Sequence, residues 1–466
     1  MRRRGLLAAL GAGLAGLAGC SADDGDRPPV TPAPVPEAGP TTATPAPEPA
    51  TASVIQFPDA GLTASLFPTR LRTGRLVTEL SFLGPPTEQG PARVAVTLRN
   101  TSGRLGAFRF GVVVPRDDLL LVPTESHPAV DPRSAPPLER GPAGCWRLAE
   151  PVPRFPVAGG VQLPPEGALT GEYALVAPPD RGCPAPGRYG FGGGGGITVA
   201  LWPTDSPGPT GDPRFAGRSV PPLGPETVWY HEATPATPVT VRPDAERAAV
   251  PAELGFRLVN HGRDPLRGNG WGLYKLVGGR WYPIRPAVFE EFARSVPPGD
   301  ELAWQFRFTG RRPDPGGDTR RPLAVGPLGG GTYAFAPDYY DDGRLYAALF
   351  ELRGEPVTVT PAAGLSVERS DGVVEARSPS ATEPGWTVRV RPTGREPDLR
   401  LLPEQLLRSR YRAFRNSLPL FDETVVAVLL RTDRSAVEAA LGRAPGETIV
   451  TYEGERYAVG VRSPGD

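Results

Sequence analysis

From residue 53 onward the chain consists of short apolar runs that glycine and proline keep cutting apart, with 58 glycines and 61 prolines in all. Proline lacks the amide hydrogen that a helix interior or central strand needs, and glycine costs backbone entropy in either, so long helices have little place here. Short runs that alternate apolar and polar residues suit strands with one buried face. The expected fold class is therefore mainly β: two β-sandwich domains, at 53–235 and 236–362, followed by a small α+β domain at 363–466. About 410 residues after the first 52 are enough for several cores.

The first residues read differently. Arg2, Arg3 and Arg4 precede an uncharged apolar run from Gly5 to Gly19, too short to span a bilayer but of signal-peptide length. It ends in Leu17-Ala18-Gly19-Cys20, which resembles the lipobox of bacterial and archaeal lipoproteins. The resemblance implies a signal peptide over 1–19, lipidation of the Cys20 thiol, and a chain held by that lipid on the extracytoplasmic face of the cell membrane. Arg3-Arg4-Gly5-Leu6-Leu7 also resembles a twin-arginine signal, against the plainer reading of an ordinary secretory signal. Residues 20–52 are rich in proline and threonine with no apolar face, which predicts a disordered stalk. At ~3.1 Å per residue it would reach up to roughly 100 Å. Thr41, Thr42 and Thr44 fit O-glycan sites by composition alone.

Lysine plus arginine and aspartate plus glutamate balance at 51 each, so nothing points to nucleic acid. Lys275 is the single lysine, which removes the Ser-x-x-Lys acylases and the phosphate loop together. Once Cys20 carries the lipid, Cys145 and Cys183 remain as a pair, and a disulfide is the expectation in an oxidising compartment. Closing that loop stabilises by about 4 kcal/mol on the chain-entropy account.

An internal resemblance runs through the middle of the chain. Val94 to Asn100 alternates and reaches Asn-Thr-Ser-Gly; Leu254 to Asn260 alternates and reaches Asn-His-Gly-Arg. Each predicts a strand closed by an asparagine that turns the chain through its side chain. Farther on, Gly187-Arg188-Tyr189 and Gly331-Thr332-Tyr333 place a tyrosine at a strand start. A tyrosine so placed is similar to a recurring feature of immunoglobulin-like sandwiches, so both halves resemble bacterial-type immunoglobulin-like domains. In the second half, Trp271–Val277, Gly278-Gly279 and Arg280–Ile284 predict a hairpin. Leu302, Trp304, Phe306 and Phe308 predict a half-buried strand, and Leu345–Leu352 and Val357–Thr360 the last ones. The Asn260 turn, Leu273-Tyr274-Lys275-Leu276, Trp281-Tyr282 and Gly-x-Tyr together resemble a domain of uncharacterised prokaryotic lipoproteins, extreme halophiles among them. Halophile proteins are usually acidic and this chain is neutral, so the resemblance concerns the domain and not its source.

In the first half, Gly192 to Gly196 is followed by Ile197-Thr198-Val199 and lacks the lysine and hydroxyl of a phosphate loop. A flexible loop is the expectation. In the C-terminal part, Leu365–Arg369 and Val373–Arg377 predict a hairpin, Trp386–Val390 a third strand, and Val425–Leu430 a further one. From Pro403, Leu407, Tyr411, Phe414 and Leu418 fall on one face at helical spacing, up to Pro419. Asp433 caps a short helix closed by Gly442, and Ile449–Tyr452 with Tyr457–Val461 form a last hairpin.

Candidate chemistry is sparse. Among the three histidines, His231 sits in Trp229-Tyr230-His231-Glu232, which offers stacking surface and a titrating group, or else a buried junction; aromatics are more often core than site. Ala233-Thr234-Pro235 follows, so the second histidine of a zinc-protease helix is missing. Asp338, Asp341 and Asp342 could supply oxygen to calcium; the bland alternative is a solvated loop turned by Asp-Gly. Arg408, Arg410, Arg412 and Arg415 make a basic stretch, or a solvated face. Asn100-Thr101-Ser102 fits the N-glycosylation sequon, but Asn260-His261-Gly262 does not, so the turn explains the shared asparagine better. No residue is assigned to catalysis and no cofactor is implied.

The expectation for function is a lipid-anchored, non-enzymatic binding or structural module of the cell envelope, with an envelope protein or glycan as partner. The alternative is an enzyme, or an enzyme accessory, with its site in the C-terminal domain. Converging acids in a cleft of 363–466 would favour the enzyme, and flat polar faces the binding module.

Overall fold

In the computed structural model the described residues are 53–109, 119–128, 130–151, 160–191, 196–285, 293–311, 322–341, 343–379, 385–442 and 446–464. Strands hold 50% of the described residues and helices 9%, so the fold is mainly β. The alternation read from the sequence becomes layered sheets. Ala92–Asn100 points Val94, Val96 and Leu98 inward. It lies within a five-stranded sheet ordered Arg70–Thr73, Leu76–Gly84, Ala92–Asn100, Ala168–Val176, Leu120–Pro123. A four-stranded sheet, ordered Val54–Phe57, Leu62–Phe67, Ile197–Pro203, Gly187–Phe191, packs against it. Phe82, Val94 and Tyr173 of the one sheet share a core with Leu66, Phe191 and Val199 of the other.

The next pair of sheets repeats the plan. A four-stranded sheet ordered Val239–Pro243, Ala252–Asn260, Glu301–Phe308, Leu323–Val325 faces a seven-stranded one built around Gly331–Asp341, Arg344–Arg353 and Leu266–Val277. Between them lies an aromatic core. Phe256 stacks on Phe335 at 4.4 Å, and Phe306 on Phe308 at 5.8 Å. The hairpin turn at Gly278 and Gly279 has φ of 57° and 74°, as a two-residue turn matching strand twist requires.

The internal resemblance extends to hydrogen bonds. Asn100 Nδ2 donates to the carbonyls of Arg104 (2.8 Å) and Leu163 (3.0 Å); Asn260 Nδ2 donates to those of Asp264 and Val296, both at 2.9 Å. The amide of Asn100 donates to Gly167, and that of Asn260 to Asp300. The following amides, of Thr101 and His261, donate to Arg75 and Pro238. Both acceptor stretches begin Pro-Pro, and each turns on a positive-φ residue, Glu166 at 55° and Gly299 at 78°. Tyr189 donates its hydroxyl hydrogen to Ala185 O and Tyr333 to Gly329 O, each at 2.7 Å. The two halves thus share one hydrogen-bonding scheme across different loop lengths.

The C-terminal sheet is seven-stranded, ordered Ser366–Ser370, Val373–Arg377, Ala427–Thr432, Trp386–Pro392, Glu455–Arg462, Thr448–Tyr452, Leu399–Arg400. One of its faces is covered: Leu406, Phe414, Leu418 and Val437 bury themselves with Val374, Val388, Val390, Val428, Leu430 and Val459. Asp433 caps the helix Arg434–Leu441, accepting from the Ala436 amide at 2.9 Å, and Gly442 closes it at φ 91°.

Four expectations need correction. The stretch from Pro403 is not one helix but Pro403–Leu406, a turn at Ser409–Tyr411, Arg412–Arg415 and a turn at Leu418–Leu420. Arg408 lies extended at ψ 151° and breaks the helical path, yet Phe414 and Leu418 still face inward. Val357–Thr360 is no strand; Val359 instead plugs the C-terminal core. Asp338 stands within the strand Gly331–Asp341 and not in a loop. A boundary at 235 would fall after elements that already belong to the second pair of sheets, since Thr227–Trp229 pairs in parallel with Leu345–Ala347. Of the glycine run, 192–195 lie outside the described residues.

Asn260 is fully buried, so losing its carboxamide leaves two carbonyls without donors. Asn260→Ala should destabilise by about 1–3 kcal/mol in urea unfolding followed by tryptophan fluorescence. Asn260→Asp, which keeps the shape but replaces the donor with an acceptor, should cost at least as much. A neutral Asn260→Asp would show that the clamp is dispensable.

Candidate functional site

Most residues that the sequence offers for chemistry are used inside the fold. Cys20 and the stalk lie outside the described residues. Cys145 and Cys183 are joined as a disulfide, with Cα atoms 5.3 Å apart. Asn100 has no exposed surface, and its amide nitrogen is spent on backbone carbonyls. It serves the turn, and the folded domain presents no carboxamide for a glycan. Trp229, Tyr230 and His231 are buried. Trp229 packs 5.7 Å from Trp281 beneath Phe215, Val220 and Leu223, and His231 Nε2 donates to Arg218 O at 2.9 Å. The cluster fills an interior and offers no open stacking surface.

Asp338 lies beside Tyr340, whose hydroxyl is pushed up to about 12 by burial and then by its hydrogen bond to that carboxylate. Asp342 and the side chain of Asp341 lie outside the described residues. Among the described residues no group of three or more His, Cys, Asp or Glu gathers as metal ligands do. His127 bonds Tyr173 at 3.0 Å inside the first core, where burial lowers its affinity for a proton. The basic stretch is likewise spent on internal braces: Arg410 to Ala439 O (3.1 Å), Arg412 to Asp433 (2.5 Å) and Arg415 to Thr360 O (2.8 Å). Arg408 is pushed down to about 10 by burial, with Arg285 nearby adding repulsion.

Two junctions tie the layers together. Between the first two pairs of sheets, Ser65 Oγ donates to Pro298 O at 2.6 Å and Arg188 pairs with Asp300 at 2.6 Å. Trp202 stacks on His261 at 5.3 Å and an interplanar angle of 7°, and His261 Nδ1 donates to Pro207 O at 2.5 Å. Burial holds the imidazole below its ordinary proton affinity, opposed by the Pro207 carbonyl and then by Glu301. Gly299 fits here because a Cβ would lie 2.3 Å from Ser65 Oγ and 2.5 Å from Ala200 Cβ.

Between the second and third parts, Lys275 forms an ion pair with Glu404, which is 3% exposed. Gly329 N and the Tyr333 hydroxyl lie 3.4 Å from the same carboxylate oxygen. Gln405 Nε2 donates to Pro283 O at 3.0 Å, and Leu402 enters the second core. Sequence reasoning used Lys275 to exclude enzyme classes and as part of a motif, and gave it no partner. Its signal was its singularity as the one lysine of the chain, a compact ammonium suited to a single carboxylate.

One open surface is the other face of the C-terminal sheet. Residues alternating with the buried valines point away from the helices: Glu375 and Arg377, Leu429 and Arg431, Thr387 and Arg389, Gly460 and Arg462. Register places Arg377 opposite Arg431, Arg431 opposite Thr387, and Thr387 opposite Arg462. Here a cavity of about 420 Å³ is lined by Val373, Glu375, Ala427, Leu429, Thr387 and the guanidinium-bearing Arg389, Arg431 and Arg462. Arg431 approaches Glu375 only to 4.0 Å, both half exposed, a contact worth at most about 1 kcal/mol. Among the described residues Arg389 and Arg462 have no ion pair. The three arginines are spread over 74 positions of sequence and none sits in a basic run, so only the fold brings them together.

No protein family matches the chain, and no curated protein matches it. Among solved structures it is similar to the alkylpurine DNA glycosylase AlkC of Pseudomonas fluorescens, at 13% identity over 25% of this chain and 31% of that one, TM-score 0.17. It is similar to red sea bream transglutaminase at 14% identity over 61% and 32%, TM-score 0.14. A putative membrane anchored protein of Corynebacterium diphtheriae is 8% identical over 68% and 67%, TM-score 0.15. The chain thus spans about a third of the first two, and likeness at these TM-scores carries no argument.

Removing one partner of a buried ion pair strands the other, so Lys275→Met should destabilise by about 3–5 kcal/mol in urea unfolding. Lys275→Met with Glu404→Leu should recover most of that loss; no recovery would mean the pair is not an isolated unit. The junction histidine gives a pH dependence. With its folded proton affinity lowered, the unfolded chain binds the extra proton first, so stability is full above pH 6.5 and falls as the pH drops below it. His261→Phe keeps the stacking and should flatten that fall in Tm measured from pH 7.5 to 5; an unchanged slope would assign it to other groups.

Proposed function

We propose that this chain is a lipid-anchored protein of the extracytoplasmic face of a prokaryotic cell membrane, acting there as a non-enzymatic binding or structural module. It carries two immunoglobulin-like sandwiches and a small α+β domain on a Pro/Thr-rich stalk. One observation carries the reading: with the Cys20 thiol assigned to lipid, the two remaining cysteines are paired as a disulfide, the state expected outside the cytoplasm.

Further features support it. Each sandwich has a tyrosine whose hydroxyl bonds a carbonyl four residues upstream, similar to the tyrosine corner of immunoglobulin-like domains. The histidines and the one lysine are engaged inside cores and junctions, which favours binding over turnover. The C-terminal cavity counts one carboxylate, Glu375, against three arginines, and so offers no pair of converging acids. The partner is an envelope component with acidic groups, a glycan or a protein.

Replacing Cys20 by serine tests the anchor. In detergent phase separation of cells expressing the tagged full chain, the wild type should partition with the detergent and label with radioactive palmitate. The Cys20→Ser protein should move to the aqueous phase without label. Equal partitioning of both would sink the lipoprotein reading.

A further inference from the structure

The cavity on the uncovered face of the C-terminal sheet has a more specific chemistry than general basicity. Thr387 stands at its centre, directly opposite Arg431 on one neighbouring strand and Arg462 on the other. Cross-strand neighbours lie about 5 Å apart, and Arg389, two residues along the same strand, about 7 Å away. Side chains as long as arginine can therefore bring three guanidinium groups over one hydroxyl. Leu429, Ala427 and Val373 form an apolar floor beside them, and Glu375, opposite Leu429, completes the lining.

We propose that this cavity is a binding site for a phosphate ester, a reading that rests on the binding-module function and gives it a ligand class. A carboxylate has two coplanar oxygens and is satisfied by one guanidinium fork. A tetrahedral phosphate presents three terminal oxygens in three directions, which suits three forks and a hydroxyl around one point. The apolar floor takes the carbon part of the ester, and Glu375 accepts hydrogen bonds from its hydroxyls. The whole chain is neutral, but the outward residues here place Arg377, Arg389, Arg431 and Arg462 against Glu368 and Glu375. The local excess of positive charge is complementary to a dianion.

Calorimetric titration of the full chain in detergent micelles with glycerol 3-phosphate, and separately with succinate, is the test. Saturable binding of the phosphate ester, weakened at least tenfold in Arg389→Gln/Arg431→Gln and unchanged in the control Arg257→Gln, is the expected result. Affinity should also fall as salt is raised. Succinate should bind at least fivefold more weakly; equal affinity would overturn the assignment to phosphate. No saturable binding at low salt, or binding untouched by the double substitution, would overturn the site itself. The Cys20→Ser chain should bind equally well, so a failed anchor leaves this result standing. Inorganic phosphate released from the ester would support the site while sinking the non-enzymatic reading.

Discussion

A buried asparagine at the end of a central strand organises each of the first two pairs of sheets. Asn100 and Asn260 have no exposed surface, and each uses its amide nitrogen to hold the turn that follows it and the carbonyl that ends a distant segment. Unpaired carbonyls at such depth would cost about 1–3 kcal/mol each, so one side chain settles both where the strand stops and which segment lies beside it. The Pro-Pro turn that follows that carbonyl then launches the next strand, Ala168–Val176 or Glu301–Phe308, in register with the first. Loop lengths differ freely between the halves because nothing in this scheme depends on them.

The same turn in the second half also makes the junction. Pro298 accepts from Ser65, Asp300 pairs with Arg188, and His261, next to Asn260, stacks on Trp202. Strand termination and the contact between the sheet pairs are therefore one piece of structure, and Gly299 allows Ser65 and Ala200 to sit this close. The next junction works by charge: Lys275 and Glu404 neutralise each other at a depth where either alone would be strongly unfavourable. That contact fastens the start of the C-terminal region to the second aromatic core, where Leu402 is also buried.

What was legible in the sequence was local. Alternation at Val94–Asn100 and Leu254–Asn260, the Gly278-Gly279 turn, and the cap and stop at Asp433 and Gly442 all follow from neighbours within a few residues. Features that join distant positions were not legible. Lys275 and Glu404 are 129 residues apart. Val373–Arg377 pairs in parallel with Ala427–Thr432, which no hairpin signal announces. The Leu407, Tyr411, Phe414, Leu418 spacing fits a helix, but a succession of single turns meets the same inward demand. Val357–Thr360 alternates like a strand yet finds no edge to join. At the candidate site, the sequence drew attention to Arg408–Arg415, whose charges are braced internally, and passed over arginines that only sheet register assembles.

That contrast bears on function. Several arginines elsewhere in the C-terminal region are neutralised: Arg369 by Asp422, Arg391 and Arg395 by Glu447, Arg412 by Asp433, Arg434 by Glu438, Arg456 by Glu396. A chain with equal numbers of acids and bases has partners enough to do the same for Arg389 and Arg462, yet among the described residues neither forms an ion pair. Clustering like charges on a sheet face raises the energy of the folded state through self-repulsion, even where water screens it. An anion bound among them would reverse the sign of that term. This uncovered face is thus one that gains from a ligand of opposite charge.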